Sequence, residues 1–330
     1  MHPTRILSIA SLLGSLTACG TIKGDGIAGH DSAVAAGEST PGDSSGDGHH
    51  DSRHTDTAIP PSNDLVFAVV GDTRPPNEDD TSHYPTSIID TIWTDVEAES
   101  PHPQFALTTG DYMYANPDNS EQQAQLDKYM AARATFSGPM YPAMGNHECT
   151  GWTDSNCGTG NADGVTKNYT VFIDTMLSPI GETLPYYEEK FEASDHSWTA
   201  KLVVVAANAW STAQSTWLSS ALSEPTTYTF VMRHEDNYAD TAPGVTPSSA
   251  IIAAHPLTLQ ICGHSHEYAH YSSDQQIIVG NGGAPLTGST NYGYAVISRK
   301  SDGTISVKAY DYQTHASMDS FSIKADGSPA

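Results

Sequence analysis

The chain has 330 residues and is strongly acidic, since 39 Asp and Glu residues against 14 Lys and Arg residues give a formal net charge of -25. Nucleic-acid binding depends on cationic side chains that neutralise phosphates, so this balance argues against a general nucleic-acid-binding protein. The composition also changes sharply along the chain, which divides it into three segments.

The first segment, residues 1–19, has the pattern of an export signal. One firm positive charge at Arg5 precedes an apolar stretch from Ile6 to Leu16, which is too short to span a bilayer. The following Leu16-Thr17-Ala18-Cys19 resembles a bacterial lipobox, so we predict a lipoprotein-type signal peptide and lipidation of Cys19. An ordinary signal peptide with an incidental cysteine is the alternative. A lipid at Cys19 would anchor an exported bacterial protein at a membrane, in the periplasm or on the cell surface.

The second segment, residues 20–63, is rich in Gly, Ser, Asp, Thr and His and has almost no large apolar side chains. Such a segment cannot bury enough surface to offset chain entropy, so we predict a disordered linker. The third segment, residues 64–330, has a globular composition. Its length of about 265 residues suits one large domain with a substantial core.

Within this third segment, continuous apolar runs alternate with helical spacing, as in an α/β protein. The pattern predicts strands at 65–70, 104–109, 140–144, 202–207, 228–232 and 257–262, and helices at 85–96, 121–134 and 215–222, the last one capped by Ser211 or Thr212. Short strands follow at 276–279, 292–299, 305–310 and 320–323. We expect these short strands to form an antiparallel or mixed second sheet that packs on the first, with helices outside.

Five blocks of metal-ligand residues stand at the ends of these apolar runs. They are Gly71-Asp72-Thr73-Arg74, Gly110-Asp111-Tyr112-Met113-Tyr114, Gly145-Asn146-His147-Glu148, Arg233-His234-Glu235 and Gly263-His264-Ser265-His266. A single block of this kind is more often a turn. Five in succession predict one cluster, because ligand sites of such sheets lie at the strand ends. Oxygen ligands mixed with imidazole favour iron, zinc or manganese over calcium.

The order of these blocks resembles the calcineurin-like metallophosphoesterases, from about Leu65 to Asp311. The resemblance implies a four-layer α/β/β/α sandwich of two mixed sheets. Many members carry a metal-binding histidine where this chain has Arg74, which cannot bind a cation. Purple acid phosphatases also lack that histidine and carry a metal-bound tyrosine where this chain has Tyr114. The catalytic domain of that group is therefore closest in motif, although Ala269-His270 replace its usual Glu-Arg.

The resemblance also implies a ligand set for two divalent or trivalent metal ions, iron with zinc, manganese or a second iron. The first metal takes Asp72, Tyr114 and His266, the second takes Asn146, His234 and His264, and Asp111 bridges both. His147 is implied to contact the substrate or to protonate the leaving-group oxygen. Tyr112 is the competing phenol, for which we expect a place in the core or at the rim of the site.

Other residues of the blocks have two interpretations. Arg74 either binds a phosphate oxygen or pairs with a carboxylate such as Glu148 or Asp79, and the role of Arg233 is equally open. Glu148, Glu235 and Glu267 either orient the ligating imidazoles or are solvated loop carboxylates.

The three cysteines that follow the lipobox in the sequence are interpreted from their positions. Cys149 and Cys157 are close enough in sequence to form a small disulfide in an exported protein, with free thiols as the alternative. Cys262 ends an apolar run and is expected to be a buried, unreactive thiol.

The sequence thus predicts an acid phosphatase-like hydrolase that cleaves phosphate esters, phosphomonoesters in preference, with a metal-activated hydroxide. Its partners are the phosphate-ester substrate and, through Cys19, a membrane. A phosphodiesterase acting on nucleotides or phospholipid headgroups is the alternative. A non-catalytic metal-binding surface lipoprotein of the same fold is a further one.

Overall fold

The computed structural model describes residues 62–239, 241–288 and 291–330, and these residues belong to one compact unit. The predicted signal peptide, the predicted lipidation site Cys19 and the predicted linker as far as residue 61 lie outside the described residues. None of the helices in the described ranges is long and apolar enough to cross a membrane.

The described residues form twelve strands and five α-helices. The strands are β1 (Val66–Val70), β2 (Phe105–Thr108), β3 (Met140–Pro142), β4 (Tyr187–Glu192), β5 (Thr199–Val205), β6 (Tyr228–Arg233), β7 (Leu259–Cys262), β8 (Tyr268–Tyr271), β9 (Gln276–Val279), β10 (Gly293–Arg299), β11 (Ile305–Asp311) and β12 (Ser317–Ile323). The helices are α1 (Thr86–Ala98), α2 (Glu121–Ala132), α3 (Lys167–Phe172), α4 (Thr212–Ser223) and α5 (Val245–Ile252). The Ser211 hydroxyl caps α4 by accepting from the Gln214 N–H.

The first sheet has the strand order β12-β11-β10-β1-β2-β3. β1, β2 and β3 run parallel, and β10 joins the other edge of β1 in antiparallel orientation. The expectation that the last short strands belong to a second sheet is therefore wrong for β10, β11 and β12. The buried β1 needs hydrogen-bonding partners on both edges, and β10 supplies the second one.

The second sheet has the order β4-β5-β6-β7-β9-β8, with β5, β6, β7 and β9 parallel between two antiparallel edge strands. The sequence pattern missed both edge strands as well as α3 and α5. β4 reads Tyr-Glu-Glu-Lys-Phe-Glu and β8 is only half-buried along its length. Edge strands of this kind lack the continuous apolar run that marks a strand buried on both faces.

The two sheets pack face to face, and their shared core includes aromatic contacts between them. The ring of Phe67 on β1 lies 5.1 Å from that of Phe105 in the same sheet and 5.1 Å from that of Phe230 on β6. A separate buried cluster joins Val203 and Val231 of the second sheet to Leu218 of α4 and Ile252 of α5. The architecture is therefore the four-layer α/β/β/α sandwich, and it directs the carboxyl ends of its parallel strands to one edge.

Candidate metal centre

Four predicted ligands follow strand ends in an unusual backbone conformation. Asp72 after β1 has φ +56°, Asp111 after β2 has φ +57°, and His264 and His266 after β7 have φ +69° and +44°. Residues other than glycine adopt this left-handed region at a cost, which the surrounding structure must offset. Strain of this kind concentrates at functional sites, so its repetition at four ligand positions marks this edge of the molecule.

Glycines that precede ligands in the blocks allow close approach. A Cβ atom at Gly145 would overlap Asp111 Oδ1, and a Cβ atom at Gly263 would overlap Asp72 Oδ2. Only glycine leaves room for a neighbouring ligand carboxylate at these two positions. In each of these two blocks, the glycine therefore leaves space for a predicted ligand carboxylate from another block.

Asp72, Asp111 and His234 form the centre of the cluster. All three are buried, and each offers a ligand atom within 4.8 Å of those of the other two. His234 Nε2 lies 3.2 Å from Asp111 Oδ1, while its Nδ1 lies 2.8 Å from the Thr109 carbonyl oxygen. A donated hydrogen bond from Nδ1 to that carbonyl keeps the Nε2 lone pair directed at the carboxylates, as is usual for a metal-bound histidine.

The remaining predicted ligands surround this centre. His264 Nδ1 lies 3.3 Å from His234 Nε2 and 3.2 Å from Asn146 Oδ1. His266 Nε2 lies 3.6 Å from Asp72 Oδ1, and its Nδ1 faces the Pro285 carbonyl oxygen at 2.9 Å. Both oxygens of Asp72 accept from the His264 backbone N–H at 3.0 Å.

This donor set fits two metal ions. Imidazole nitrogens, carboxylate oxygens and an amide oxygen converge within contact distance. The side-chain nitrogens of Asn146, His234 and His266 that face away from the cluster contact backbone carbonyl oxygens. That mixture is the ligand chemistry of first-row transition metals and zinc. The structure therefore brings six predicted ligands together, namely Asp72, Asp111, Asn146, His234, His264 and His266, while their binding of metal stays a prediction.

The charged groups of the cluster change one another's pKa values. Burial would raise the pKa of Asp111, but His234, His147 and Arg74 hold it well below its usual range. Burial, with Asp111 nearby, raises the pKa of Asp72. Burial opposes charge on His234 as well, yet the two carboxylates raise its pKa well above normal. The carboxylates thus favour positive charge beside His234 Nε2, which is where a cation would sit.

Burial favours the neutral form of the other three imidazoles of the cluster. Burial lowers the pKa of His264 to about 4 and that of His147 to about 3, and it also lowers the pKa of His266. Neutral imidazole is the protonation state that binds a metal. The environment therefore prepares His264 and His266 as ligands at neutral pH.

Tyr114, Arg74 and His147 lie together on one side of the cluster. The Arg74 guanidinium carbon lies 4.7 Å from the centre of the Tyr114 ring, and that ring lies 4.4 Å from the His147 ring. Arg74 Nε is 3.6 Å from Asp111 Oδ2, and His147 Nε2 is 3.8 Å from the same oxygen. The carboxylate beside Arg74 is thus Asp111, and neither Glu148 nor Asp79, the two examples named for the pairing interpretation.

Glu148 has a role that sequence reasoning left open. Its Oε2 accepts from the backbone N–H groups of Gly145 at 2.8 Å and Asp111 at 2.9 Å, and its Oε1 accepts from Tyr112 at 2.8 Å. Burial raises the pKa of Glu148 to about 7, whereas these N–H groups act in the opposite direction. Glu148 therefore orients the backbone of Asp111, and it neither orients an imidazole nor lies in solvent.

Arg233 is a structural residue behind His234. Its buried guanidinium donates to the Ser248 and Ser249 hydroxyls of α5, to Asn237 Oδ1, and to the carbonyls of Glu235 and Val245. Glu235 is also fully buried, and neither carboxylate oxygen has a hydrogen-bond partner among the described residues. Neither Glu148 nor Glu235 is therefore a solvated loop carboxylate.

The remaining candidates lie outside the ligand cluster. The Tyr112 hydroxyl is buried against Thr108 and the Ala143 carbonyl oxygen, so this phenol belongs to the core as expected. Cys149 and Cys157 form a disulfide with their Cα atoms 5.6 Å apart. Cys262 is a buried free thiol, and burial raises its pKa to about 12.

Comparisons with known proteins found a matching family model and several solved structures of similar fold. A family model described as calcineurin-like phosphoesterase matches residues 65–268. A purple acid phosphatase from yellow lupin (Lupinus luteus) seeds has 15% identity and a TM-score of 0.59, over 82% of this chain and 57% of the lupin chain. The GAP50 anchor in the inner membrane complex of Plasmodium has 14% identity and a TM-score of 0.56, over 80% of this chain and 90% of that one. No curated protein matches the sequence.

Proposed function

The chain belongs to the calcineurin-like phosphoesterase family, and we propose that it is a dimetal-dependent hydrolase of phosphate esters with a preference for phosphomonoesters. The main support is the convergence of six ligand side chains from both sheets at the carboxyl ends of parallel strands. This chain is similar in fold to an anchor protein as well as to the lupin phosphatase, so the fold alone does not decide the activity. The donor set carries the proposal.

In this proposal, Asp72, Tyr114 and His266 hold one metal, and Asn146, His234 and His264 hold the other. Asp111 would be shared by both metals, because its carboxylate lies 3.2 Å from His234 Nε2 and forms one cluster with His234 and Asp72, which belong to the two different ligand sets. When bound, two such metals supply Lewis-acid stabilisation of the phosphoryl oxygens and a strong oxygen nucleophile near neutral pH.

His147 is the proposed proton donor to the leaving-group oxygen. It lies beside the bridging carboxylate, and its Nδ1 is buried without a hydrogen-bond partner among the described residues. Burial lowers its pKa to about 3 in the protein alone. A phosphate ester brings negative charge next to the ring, which raises the pKa of an imidazole and favours its protonated form.

Arg74 is the proposed phosphate contact. Among the described residues, its Nε has no hydrogen-bond partner and its Nη1 donates to the adjacent Pro75 carbonyl oxygen. The Tyr114 ring and Asp111 hold the guanidinium plane at the edge of the cluster. A planar group with free donors suits the non-bridging oxygens of a phosphate. An Arg74→Ala variant with an unchanged KM would contradict this role.

The decisive experiment combines metal analysis with a substrate comparison. We expect about two metal ions per chain, together with faster hydrolysis of p-nitrophenyl phosphate than of bis-p-nitrophenyl phosphate. The reverse preference would favour the phosphodiesterase alternative. Stoichiometric metal with no hydrolysis across a broad ester panel would favour the non-catalytic alternative.

Iron at the first metal position has its own test. A phenolate bound to ferric iron gives a coloured protein, so we expect a broad visible band that disappears in Tyr114→Phe. Tyr112→Phe is the matched control, because its hydroxyl is buried in the core and its loss should leave the band in place. A colourless protein containing only zinc or manganese would refute the assignment of iron.

Export and membrane anchoring are part of the same proposal and rest on residues 1–19. The intact chain should enter the membrane fraction of a bacterial host and incorporate labelled fatty acid. Cys19→Ser should release it from that fraction, because a cleaved lipoprotein has no other anchor in this proposal. Membrane association that survives Cys19→Ser would contradict lipidation at this residue.

A further inference from the structure

The segment between Cys149 and Cys157, which we call the disulfide loop, directly follows the Gly145-Asn146-His147-Glu148 block. We infer that this loop orients the Asn146 side chain towards the second metal position, so that metal binding there depends on the disulfide. The inference rests on the metal assignment of the proposed function. Neither the family match nor the sequence motif predicts that the disulfide positions this side chain.

The loop wraps around Asn146. The Asn146 carbonyl oxygen accepts from the backbone N–H groups of Cys149 at 3.1 Å, Thr150 at 3.2 Å and Gly151 at 2.9 Å. In return, the Asn146 Nδ2 donates to the Gly151 carbonyl oxygen at 2.9 Å. Both polar ends of this residue, backbone and side chain, are therefore set by the first residues of the loop.

The contact with Gly151 decides which way the amide faces. A side-chain amide has one donating end and one accepting end. Because Nδ2 is directed to Gly151, Oδ1 must point the other way, where it lies 3.2 Å from His264 Nδ1. A rotation that exchanged the two ends would present an NH2 group to the metal position, and an NH2 group cannot bind a cation. The Gly151 carbonyl thus acts as the outer partner of a ligand.

The loop is itself held at both ends. The disulfide joins its first and last residues, and the Thr166 hydroxyl donates to the Cys149 carbonyl oxygen at 2.7 Å. Asn208, in the turn after β5, accepts from the Cys157 N–H at 2.7 Å and donates to the Thr153 and Ser155 carbonyls at 2.9 Å. The loop therefore connects the strand-end turn of the first sheet to that of the second.

Breaking the disulfide would release the end of the loop that carries Gly151. The backbone of the loop would then regain conformational freedom, and ordering it again for metal binding would cost entropy. Loss of an outer partner of a metal ligand typically weakens metal affinity about 10- to 100-fold. Since disulfides persist in oxidising compartments, full metal loading should occur only after export.

The test is a titration of metal-free protein with Zn²⁺ by calorimetry. Wild-type protein should bind two Zn²⁺ ions, and Cys149→Ser/Cys157→Ser should bind one of them at least about tenfold more weakly. Val307→Ala is the stability control, because it removes core methyl groups on β11 and should leave both affinities within about threefold.

A double-mutant cycle separates positioning from general loosening. In an Asn146→Ala background, the disulfide has no amide left to orient, so its removal should change Zn²⁺ affinity by less than about threefold. An equal loss of affinity in both backgrounds would overturn the inference, as would unchanged affinity in the disulfide variant.

Two further readouts keep the inference testable. If the double serine variant fails to fold by circular dichroism, Gly151→Ala decides the matter with the disulfide intact. Gly151 has φ +93°, so an added side chain strains the backbone and displaces its carbonyl; unchanged Zn²⁺ affinity there would refute the inference. Zn²⁺ binding needs no catalysis, so failed ester hydrolysis would refute the proposed function alone, whereas fewer than two Zn²⁺ ions on wild-type protein would overturn both.

Discussion

Glu148 offers the sharpest test of how the centre is built. Its carboxylate accepts from four backbone N–H groups, those of Gly145 and Asp111 at Oε2 and those of Tyr112 and Met113 at Oε1. These donors belong to the turns after β2 and β3. The side chain is fully buried, so no water can replace a lost acceptor. We predict that Glu148→Gln strongly destabilises the protein although the two side chains have nearly the same shape.

The magnitude follows from the contacts. In glutamine, one acceptor oxygen becomes an NH2 group, which faces two N–H donors in whichever orientation it takes. Two buried backbone N–H groups lose their acceptor, which costs about 1–3 kcal/mol for each group, so the free energy of unfolding should fall by about 3 kcal/mol. Asp111 should also lose its fixed position, because its own N–H is one of the donors.

Urea unfolding of the metal-free protein, followed by tryptophan fluorescence, measures this loss. With an m-value of roughly 3 kcal/mol/M for a domain of this size, the midpoint should fall by about 1 M without a change in m. Glu267→Gln is the matched control, since Glu267 also adjoins a predicted ligand but is only partly buried. Its effect should stay within about 0.5 kcal/mol. A loss below about 1 kcal/mol in Glu148→Gln, or equal losses in both variants, would refute the reasoning.

Three further predictions concern other parts of the site. His147→Gln should lower turnover of p-nitrophenyl phosphate by about 10²–10⁴-fold with unchanged metal content by elemental analysis, and metal loss would instead make His147 a ligand. Arg233→Met should lower the melting temperature by roughly 6–12 °C in calorimetry, because the hydroxyl of Ser248 and the amide of Asn237 lose a buried charged partner; a shift under about 2 °C would contradict this structural role. Cys262 should resist maleimide at pH 8 in the native protein and react only in denaturant, as peptide mass spectrometry would show. A pKa of about 12 leaves about one thiolate in ten thousand at that pH, so rapid native labelling would refute its burial.

The central strands and the ligand blocks were predictable from sequence because their signals are local. A strand buried on both faces is a continuous apolar run, and β1, β2, β5 and β6 all lie within the predicted ranges or extend them by a few residues. A glycine followed by a carboxylate, amide or imidazole at the end of such a run marks a turn at the ligand edge. The order of the blocks then indicated both the family and the α/β/β/α sandwich.

Membership of the sheets was not predictable, because strand pairing depends on partners far away in sequence. β10 pairs with β1 although more than two hundred residues separate them. Edge strands such as β4 and β8 carry polar faces, and no local pattern distinguishes them from loops.

The roles of charged residues around the ligands were likewise decided by the tertiary structure. Glu148 stands next to His147 in sequence, yet its carboxylate holds backbone N–H groups more than thirty residues away. Arg74 lies beside Asp111 rather than beside Glu148 or Asp79, the two carboxylates named as possible partners. The candidate ligands can thus be predicted from the sequence, since they depend on residue type and on the positions of strand ends. The groups that orient them are set by long-range packing, because a buried charge must pair with whichever polar group the fold brings within reach.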